Sequence, residues 1–520
     1  MQTNDRNRLY RFIPVFIFLV ALAARIIPGP RTIDDSFITF RYARNILAGN
    51  GFVYNIGEHV LGTTTPLYAM LMAVLGAFAG GSQAPFPLLA LGLNALADAA
   101  ATLLIIAIGR HVGLPRAGIG AALAWALAPY SVSFAIGGLE TSVYVLLLIS
   151  MLAGYLYGRY TLVGLAAAFA LLTRPDALLL VLPLGFDRLF FDPKRRGVRI
   201  SKKELLAFFL PVVLWYSFAA ISFGSLMPHS LTAKEFAYRM QPLSALVRLI
   251  QHYATPFMGN LTLGIPWIGI GGLLYLFLFT LGAFRLIKQQ PFLWPFVLFP
   301  WFYLAAFAIQ NPLIFRWYLT PPLPFYIFVV LAGLDHLTSQ VFSAKSSRLQ
   351  FSGLLPVLLV ILAPALLIAK DWRLHPTHGL QTPAPEMAYY ELELLYKRVA
   401  DELAPMVQSY AHTPTLAAGD VGILGYYTSA RILDTVGLIS PETIAYYPLD
   451  DYYYDEYTYA VSADLILDHK PDFIVILEVY GRTGLLVDPR FIKAYQLYKK
   501  IPTNIYGSDG MLIFVPRTSP

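Results

Sequence analysis

The sequence predicts a polytopic α-helical membrane protein of about eleven spans with a C-terminal extracytoplasmic α/β domain. Hydrophobic side chains make up 57% of the 520 residues and charged ones only 13%, against about a quarter charged in soluble domains. Apolar runs of roughly 17 to 20 residues, as at 12–28, 205–224 and 353–369, are long enough to cross a bilayer. Residues 1–372 carry 27 Lys and Arg against 13 Asp and Glu (+14), whereas residues 373–520 carry 11 against 18 (−7). We therefore expect a membrane domain over 1–372 and a soluble domain over 373–520.

The first apolar run follows Arg6, Arg8 and Arg11 and has the general form of a signal peptide. Because many further apolar runs follow it, we expect a retained first helix with a cytoplasmic N-terminus. Cytoplasmic loops are enriched in Lys and Arg, so the charge of each loop indicates which side of the membrane it faces.

The segment 64–80 either crosses the membrane or lies in its interface. Interfacial placement gives a first external loop of 30–85 and puts 17 of the 27 basic residues in cytoplasmic loops. It also requires two short passes around Arg174, where Pro175 favours a helix break. The predicted spans are 12–29, 86–109, 117–136, 140–157, 161–173, 176–187, 205–224, 264–284, 292–310, 318–337 and 353–370.

The C-terminal part alternates helical and strand patterns. Residues 388–403 and 460–469 have helical periodicity, and short apolar runs predict strands. The predicted strands are 415–419, 431–435, 472–477 and 510–516.

Asp34 and Asp35 lie at the external end of the first span, and we take them as the candidate catalytic residues. Two adjacent carboxylates at a bilayer surface repel each other and are poorly solvated, which raises the pKa of one of them. Such a pair suits a general base, or the ligands of a hard divalent cation such as Mg²⁺, Mn²⁺ or Ca²⁺. The alternative is that they cap the helix that follows.

Arg41 and Arg44 follow on one helical face and bind either a phosphate or lipid headgroups. The turn-rich loop 49–58, which ends at Glu58, lacks a P-loop lysine and is expected to shape an external cleft. A tyrosine- and acid-rich stretch at 446–457 suggests a glycan platform, a Ca²⁺ loop or a packed polar loop.

Several motifs resemble the GT-C superfamily of membrane glycosyltransferases, and within it the arabinofuranosyltransferase-like branch. They are Asp34-Asp35 with Arg-Tyr-Ala-Arg-Asn (41–45), Gly-Asn-Gly-Phe-Val-Tyr-Asn-Ile-Gly-Glu (49–58), Thr-Thr-Pro-Leu (64–67), Gly-Leu-Glu-Thr (138–141), Leu-Thr-Arg-Pro-Asp (172–176), Arg-Trp-Tyr (316–318) and Gly-Asp-Val-Gly-Ile-Leu-Gly-Tyr-Tyr (419–427). The resemblance implies a polyprenyl-phosphate-linked sugar as donor, Asp34 or Asp35 as base, and Glu140 as an acid of the second external loop.

Transfer from a lipid phosphate also needs cations for the departing phosphate. The external candidates are Arg174, Lys234, Arg316 with Tyr318, and His229. An arginine near membrane depth is functional by default, although Asp176 offers Arg174 a structural partner.

We therefore expect a plasma-membrane glycosyltransferase that moves a sugar, arabinofuranose in the finer prediction, to a cell-envelope glycan or lipid on the outer face. The expected partners are the lipid-linked sugar, the glycan acceptor and the bilayer, with no nucleic acid. The alternatives are a flippase for a lipid-linked sugar, a protein O-glycosyltransferase and a glycan-binding scaffold. Flippases commonly contain repeated halves, and the sequence shows no such repeat.

Overall fold

A computed structural model describes residues 2–257, 265–343, 354–370, 391–454 and 457–517. Within these ranges, the first eighteen α-helices belong to the membrane part. They are α1 (Gln2–Ile26), α2 (Asp34–Leu47), α3 (Pro66–Ala77), α4 (Phe86–His111), α5 (Pro115–Leu127), α6 (Pro129–Ile136), α7 (Thr141–Leu156), α8 (Tyr160–Thr173), α9 (Leu178–Phe186), α10 (Asp192–Arg196), α11 (Lys202–Phe223), α12 (His229–Ala237), α13 (Ser244–Ala254), α14 (Ile265–Gln289), α15 (Trp294–Gln310), α16 (Leu323–Ser343), α17 (Leu354–Val357) and α18 (Ala363–Lys370).

Among the described residues, five helices are long and apolar enough to cross a membrane. A sixth is obtained if α5 and α6, which meet at a 46° bend, form one span. Shorter apolar helices occupy Phe12–Ile26, Thr141–Leu156, Tyr160–Thr173 and Leu355–Ala369, where further spans are predicted. The count of eleven therefore stays a prediction.

Two irregular segments agree with the sequence argument. Helix α3 has 12 residues and is about 18 Å long at 1.5 Å per residue, too short to cross a hydrocarbon core of about 30 Å. Helix α8 ends at Thr173, and a 3₁₀ turn at Pro175–Ala177 precedes α9. That break brings Arg174 out of regular helical structure, with an extended backbone at φ −153° and ψ 133°.

The membrane part contains a buried ion pair that joins α1 to α4. The Arg25 Nε atom lies 2.7 Å from the Asp98 carboxylate, and both side chains are inaccessible to solvent. Ser142 donates a further hydrogen bond of 2.8 Å to Asp98. Removing one partner of such a pair leaves an uncompensated buried charge, so this pair holds the helices in register.

A second ionic network lies between α8, α10 and α11. Arg188 contacts Asp192 at 3.1 Å and Glu204 at 2.7 Å, and Tyr160 donates to Asp192 at 2.7 Å. Asp192 is inaccessible to solvent. Protein groups therefore surround this carboxylate on all sides.

The C-terminal part contains a five-stranded mixed sheet in the order β2-β1-β3-β5-β4. Strands β1–β3 are parallel to one another, and β5 is antiparallel to β3 and β4. Its elements are α19 (Glu391–Ser409), β1 (Thr415–Ala418), α20 (Gly422–Thr428), β2 (Arg431–Asp434), α21 (Asp451–Tyr454), α22 (Ala463–His469), β3 (Phe473–Leu477), α23 (Pro489–Ala494), β4 (Tyr495–Ile501) and β5 (Met511–Pro516). Four of the strands were predicted, whereas β4 is an edge strand with mostly exposed side chains.

The C-terminal part shares a hydrophobic core with the segment that follows α1. Phe37, Phe40 and Met72 of that segment are buried in one cluster with Leu424 and Ile432. Each fully buried side chain of this size contributes about 2 kcal/mol. The two parts therefore pack as one unit, and the predicted boundary at 372/373 lies outside the described residues.

Candidate functional site

Asp34 fixes the C-terminal part to the start of α2. Its carboxylate accepts hydrogen bonds from the backbone N–H groups of Gly422, at 2.8 Å, and Ile423, at 2.7 Å. These amides begin α20, which has no side-chain cap of its own. Asp34 thus caps a helix, but the helix belongs to the C-terminal part and not to the segment that follows Asp34.

Two glycines make this close approach possible. A Cβ atom on Gly422 would lie 1.8 Å from the backbone oxygen of Asp34. A Cβ atom on Gly425 would lie 2.0 Å from the Tyr54 hydroxyl and 2.3 Å from Arg41. Only glycine therefore allows α20 to approach α2 at this distance.

Both candidate phosphate-binding arginines of α2 contact the C-terminal part. Arg41 donates to the backbone oxygen of Ala430 at 2.8 Å, and its guanidinium lies 4.3 Å from the centre of the Tyr54 ring. Arg44 donates to the backbone oxygen of Tyr426 at 2.8 Å. Arg41 is only 4% exposed. The structure thus places both arginines in the interface between the two parts.

Glu58 lies in the same interface. Its carboxylate accepts hydrogen bonds from Arg431 at 2.5 Å and from Asn55 at 2.9 Å. Asn55 in turn exchanges two hydrogen bonds with the backbone of Ile432 on β2. The loop 49–58 therefore pairs with the edge of the sheet.

Asp35, the next residue, has different surroundings. Its side chain is half-buried and makes no hydrogen bond within the part of the chain that the structure describes. Burial raises the pKa of Asp35, and the nearby charge of Lys234 opposes that rise. Asp35 is therefore a carboxylate of raised basicity, and among the described residues Lys234 is the cation that acts on it.

Lys234 connects Asp35 to the segment that precedes α16. Its ammonium donates to the Tyr318 hydroxyl at 3.3 Å and lies 4.8 Å from the centre of the Phe315 ring. Burial lowers the pKa of Lys234, but Tyr318 and Asp35 outweigh that effect, so the net shift is upward. Lys234 therefore carries its positive charge throughout the physiological pH range.

Arg174 also lies beside Tyr318, with its guanidinium 5.0 Å from the ring centre. Two carboxylates hold it, Glu140 at 3.0 Å and Asp176 at 3.0 Å. Tyr303 adds a hydrogen bond of 3.0 Å to Asp176. The structural pairing with Asp176 is thus present, and Glu140 is a second partner.

The structure therefore brings five of the predicted residues into one group, which we call the Asp35 cluster. Its members are Asp35, Lys234, Tyr318, Arg174 and Glu140. Within it, Arg174 is paired with two acids, Glu140 and Asp176, whereas the polar neighbours that the described residues give Lys234 are the Tyr318 hydroxyl and the charge of Asp35.

His229 and Arg316 were also predicted to bind the phosphate, but their surroundings differ from those of Lys234. The His229 backbone N–H donates to the oxygen of Leu61 at 2.8 Å, and burial lowers the pKa of the imidazole below 6.5, against the influence of Glu442. At pH 7 His229 is neutral and carries no charge for a phosphate. Arg316 is exposed, and its charge acts on Tyr506 of the C-terminal part.

One carboxylate of this region was not singled out from the sequence. Asp420 lies between β1 and α20, two residues before the Gly422 amide that Asp34 caps. Burial raises the pKa of Asp420 to about 6, the hydrogen bond from Tyr396 opposes this, and the charge of Asp35 adds to it. The Gly-Asp-Val-Gly motif was visible, but only the fold brings it beside Asp35.

The residues that the structure describes do not form a recognisable metal site. Within the described ranges, no group of three or more His, Cys, Asp or Glu side chains is arranged to hold a metal ion. Both oxygens of Asp34 already accept backbone hydrogen bonds. The donor set thus does not match the six to eight oxygen ligands that Ca²⁺ takes or the octahedral shell of Mg²⁺.

Residues 387–514 match a family described as a domain of unknown function (DUF8728). No curated protein matches the sequence.

Solved membrane-protein structures resemble almost the whole chain. ArnT from Cupriavidus metallidurans bound to undecaprenyl phosphate is 16% identical over 98% of both chains, with a TM-score of 0.52. The Archaeoglobus fulgidus oligosaccharyltransferase tethered to an acceptor peptide is 13% identical, with a TM-score of 0.54 over 98% of this chain and 74% of that one. AglB from the same organism, with an inhibitory peptide and a dolichol phosphate, is 12% identical, with a TM-score of 0.53 over 95% and 73%. The chain therefore has the GT-C membrane fold with a small C-terminal sheet domain.

Proposed function

We propose that this chain is a glycosyltransferase that moves a sugar from a polyprenyl-phosphate carrier to the hydroxyl group of an acceptor. The observation that carries the proposal is Asp35, a half-buried carboxylate without a hydrogen-bond partner among the described residues, beside the cation Lys234. Support comes from the GT-C fold and from solved structures of that fold that hold undecaprenyl phosphate or dolichol phosphate.

In this proposal Asp35 is the general base. The acceptor hydroxyl gives its proton to the Asp35 carboxylate, and the acceptor oxygen forms a bond to the anomeric carbon of the sugar. The bond between that carbon and the phosphate oxygen breaks, and the phosphate leaves with the electron pair. A raised pKa suits Asp35 to this task, because a stronger base takes a proton more readily.

Lys234 and Tyr318 are the proposed partners of the departing phosphate. The Lys234 ammonium and the Tyr318 hydroxyl are already 3.3 Å apart, so both groups can donate hydrogen bonds to the oxygens of one phosphate. Preorganised donors of this kind stabilise charge as it develops in the transition state. Arg174, held by Glu140 and Asp176, is the proposed support for the Tyr318 ring.

The finer parts of the proposal are the sugar, the acceptor and the location. We propose arabinofuranose as the sugar, a cell-envelope glycan as the acceptor, and the outer face of the plasma membrane as the side that carries the Asp35 cluster. Transfer to protein is the second candidate, because a structure of the same fold holds an acceptor peptide.

The test is a transfer assay with purified protein in nanodiscs. Polyprenyl phosphates that carry labelled arabinofuranose, other pentoses or hexoses are offered together with a glycan or a peptide acceptor, each with and without EDTA. We expect transfer from a lipid-phosphate sugar that survives EDTA and falls by about 100-fold or more in Asp35→Asn. Absence of transfer from every donor, or movement of an intact lipid-linked sugar across the bilayer instead, would contradict the proposal.

A further inference from the structure

The segment between α9 and α11 folds around one buried arginine, Arg188. Its guanidinium contacts Asp192 at 3.1 Å and Glu204 at 2.7 Å. It also donates to the backbone oxygens of Val198, at 2.9 Å, and Arg199, at 3.2 Å. One side chain thus joins α10, the turn that follows it and the first turn of α11. The segment therefore has a fixed shape.

The acids of this segment are buried, whereas many of its cations are exposed. Asp187 and Asp192 are inaccessible to solvent, and the Glu204 side chain is 13% exposed. Arginines of the same segment pair with all three acids. Four further cations are exposed and make no ion pair with any described residue: Lys194, Arg199, Lys202 and Lys203. The outer surface of the segment is therefore strongly positive.

Two of these cations occupy positions that do not favour the helix that carries them. Lys202 and Lys203 are the first two residues of α11, where the helix dipole favours acids and disfavours cations. Ser201 and Glu204 already satisfy backbone amides there through a capping box. The stability of α11 therefore does not explain the two lysines, and residues that oppose the local structure are expected at functional surfaces.

Exposed aromatic rings adjoin the cations. Phe186, Phe190 and Phe191 are 49%, 55% and 46% exposed. The Phe186 ring lies 4.9 Å from that of Phe190 and 5.6 Å from that of Phe191. The guanidinium of Arg195, which follows Lys194 in α10, lies 5.8 Å from the centre of the Phe191 ring. Rings and cations thus form one continuous surface, which we call the 186–203 surface.

The 186–203 surface lies at the opposite end of α8 from the Asp35 cluster. Tyr160, the first residue of α8, donates to Asp192 at 2.7 Å, whereas Thr173, the last residue, precedes Arg174. The 14 residues of α8 span about 21 Å at 1.5 Å per residue. Loops rich in Lys and Arg face the cytoplasm, so this surface is predicted in the cytoplasmic leaflet.

We propose that the 186–203 surface binds an anionic phospholipid of the leaflet at that end of α8. Lysine and arginine bind phosphate oxygens through charge-assisted hydrogen bonds, and a cluster of such residues beside a membrane span favours anionic lipids. Phenylalanine rings next to cations suit the boundary between headgroups and acyl chains. Because Arg188 already holds the segment, the cations lose little freedom on binding. This inference does not depend on the glycosyl transfer proposed above.

The first test is native mass spectrometry of the full chain with phosphatidylglycerol or phosphatidylcholine of identical acyl chains. The double variant Lys202→Gln/Lys203→Gln is compared with Arg159→Gln/Lys288→Gln, which removes two exposed cations from other loops. We expect the wild type and the control to bind phosphatidylglycerol roughly ten-fold more tightly than phosphatidylcholine, and the lysine variant to lose most of this preference. Equal loss in both double variants, or no preference in the wild type, would overturn the proposal.

A second measurement separates lipid binding from helix stability. Phosphatidylglycerol should raise the Tm of the wild type and the control, because a ligand of the folded state stabilises it, and should not raise that of Lys202→Gln/Lys203→Gln. Without lipid, the lysine variant should have at least the wild-type Tm, since its substitutions relieve the helix dipole. A lower Tm without lipid would mean that the lysines serve the fold, and would overturn the proposal.

Competition identifies the source of the phosphate. Inorganic phosphate and an oligoglutamate peptide are added at the same concentration as the bound phosphatidylglycerol. Neither should displace the lipid, because neither has acyl chains to pack against the phenylalanine rings. Displacement by either one would assign the surface to a soluble anion or an acidic protein and would overturn the proposal.

Discussion

Neighbouring residues at the start of α2 belong to two regions of different character. Asp34 belongs to the interface with the C-terminal part, where its oxygens are satisfied by the amides of Gly422 and Ile423. Asp35 belongs to the cluster with Lys234, where the described residues give it no hydrogen bond. Saturated polar groups hold a structure together, whereas groups without partners are available to a substrate. One helix turn thus combines a structural acid with an acid available for chemistry.

The largest effect is expected from closing the space between α2 and α20. Gly422→Ala places a Cβ atom 1.8 Å from the backbone oxygen of Asp34, and no side-chain rotation can relieve a backbone clash. We expect a loss of at least about 3 kcal/mol in the free energy of unfolding, measured as a fall in Tm. Gly92→Ala in α4 is the matched control, because its Cβ would meet nothing within 4 Å. Equal Tm values for the two variants would refute the close contact.

A pair of substitutions compares Arg174 with the ionic network at Arg188. Glu140→Gln and Asp192→Asn each remove a carboxylate that contacts a buried arginine. We expect both to lower the free energy of unfolding by about 2 to 3 kcal/mol. Because Arg174 lies against the Tyr318 ring, only Glu140→Gln should also raise the donor KM. A raised donor KM in Asp192→Asn as well would mean that the effect is not specific to the Asp35 cluster.

Lys234 is the cation on which the proposed leaving-group stabilisation depends. Lys234→Met keeps the length of the side chain and removes its charge, so we expect roughly a 30-fold loss in kcat/KM, or about 2 kcal/mol. Lys234→Arg should recover part of this loss. Arg44→Met, at the interface, should leave kcat/KM of the folded protein within about two-fold. The comparison fails if the two methionine variants lose the same activity.

The smallest effect concerns pH. Because the pKa of Asp420 is raised to about 6 in the folded protein, its protonated form is favoured by folding. Its stabilising contribution is complete below about pH 3.8 and is lost as the pH rises through 6. Asparagine does not titrate, so Asp420→Asn lacks this contribution. The decrease in Tm from pH 5 to pH 7 should therefore be about 1 to 2 °C smaller in Asp420→Asn than in the wild type. An unchanged difference in Tm would remove Asp420 as the titrating group.

The sequence predicted the helical membrane fold because long apolar runs and clustered positive charges are local signals. It also predicted four of the strands, since those are short apolar runs in the core of the sheet. Strand β4 was missed because its side chains, from Gln496 to Lys500, are exposed and have no apolar run. The wholly buried pair of Arg25 and Asp98 joins residues 73 positions apart, which no local pattern reveals.

The sequence predicted single residues of the candidate site but not their arrangement, because the arrangement depends on contacts between distant segments. Lys234, Tyr318 and Arg174 were predicted individually as external groups able to bind the donor phosphate, and the fold brings them together. Asp34 and Asp35 are adjacent and have the same local sequence, so the sequence does not distinguish them. The contacts of Asp34 with α20 do. The tyrosine-rich stretch 446–457 was prominent, yet Tyr447 and Tyr454 are buried.

We propose different roles for the two neighbouring acids: Asp34 is structural and Asp35 is the base. The most direct measurement is turnover and Tm, side by side, for Asp34→Asn and Asp35→Asn in the same nanodisc preparation. We predict that Asp34→Asn lowers Tm, because an amide cannot accept both backbone hydrogen bonds, and that it keeps turnover at temperatures where it is folded. Asp35→Asn should keep the wild-type Tm and lose turnover by about 100-fold or more. Full turnover in Asp35→Asn would exclude Asp35 as the base, and loss of turnover in a fully stable Asp34→Asn would show that Asp34 takes part in the reaction.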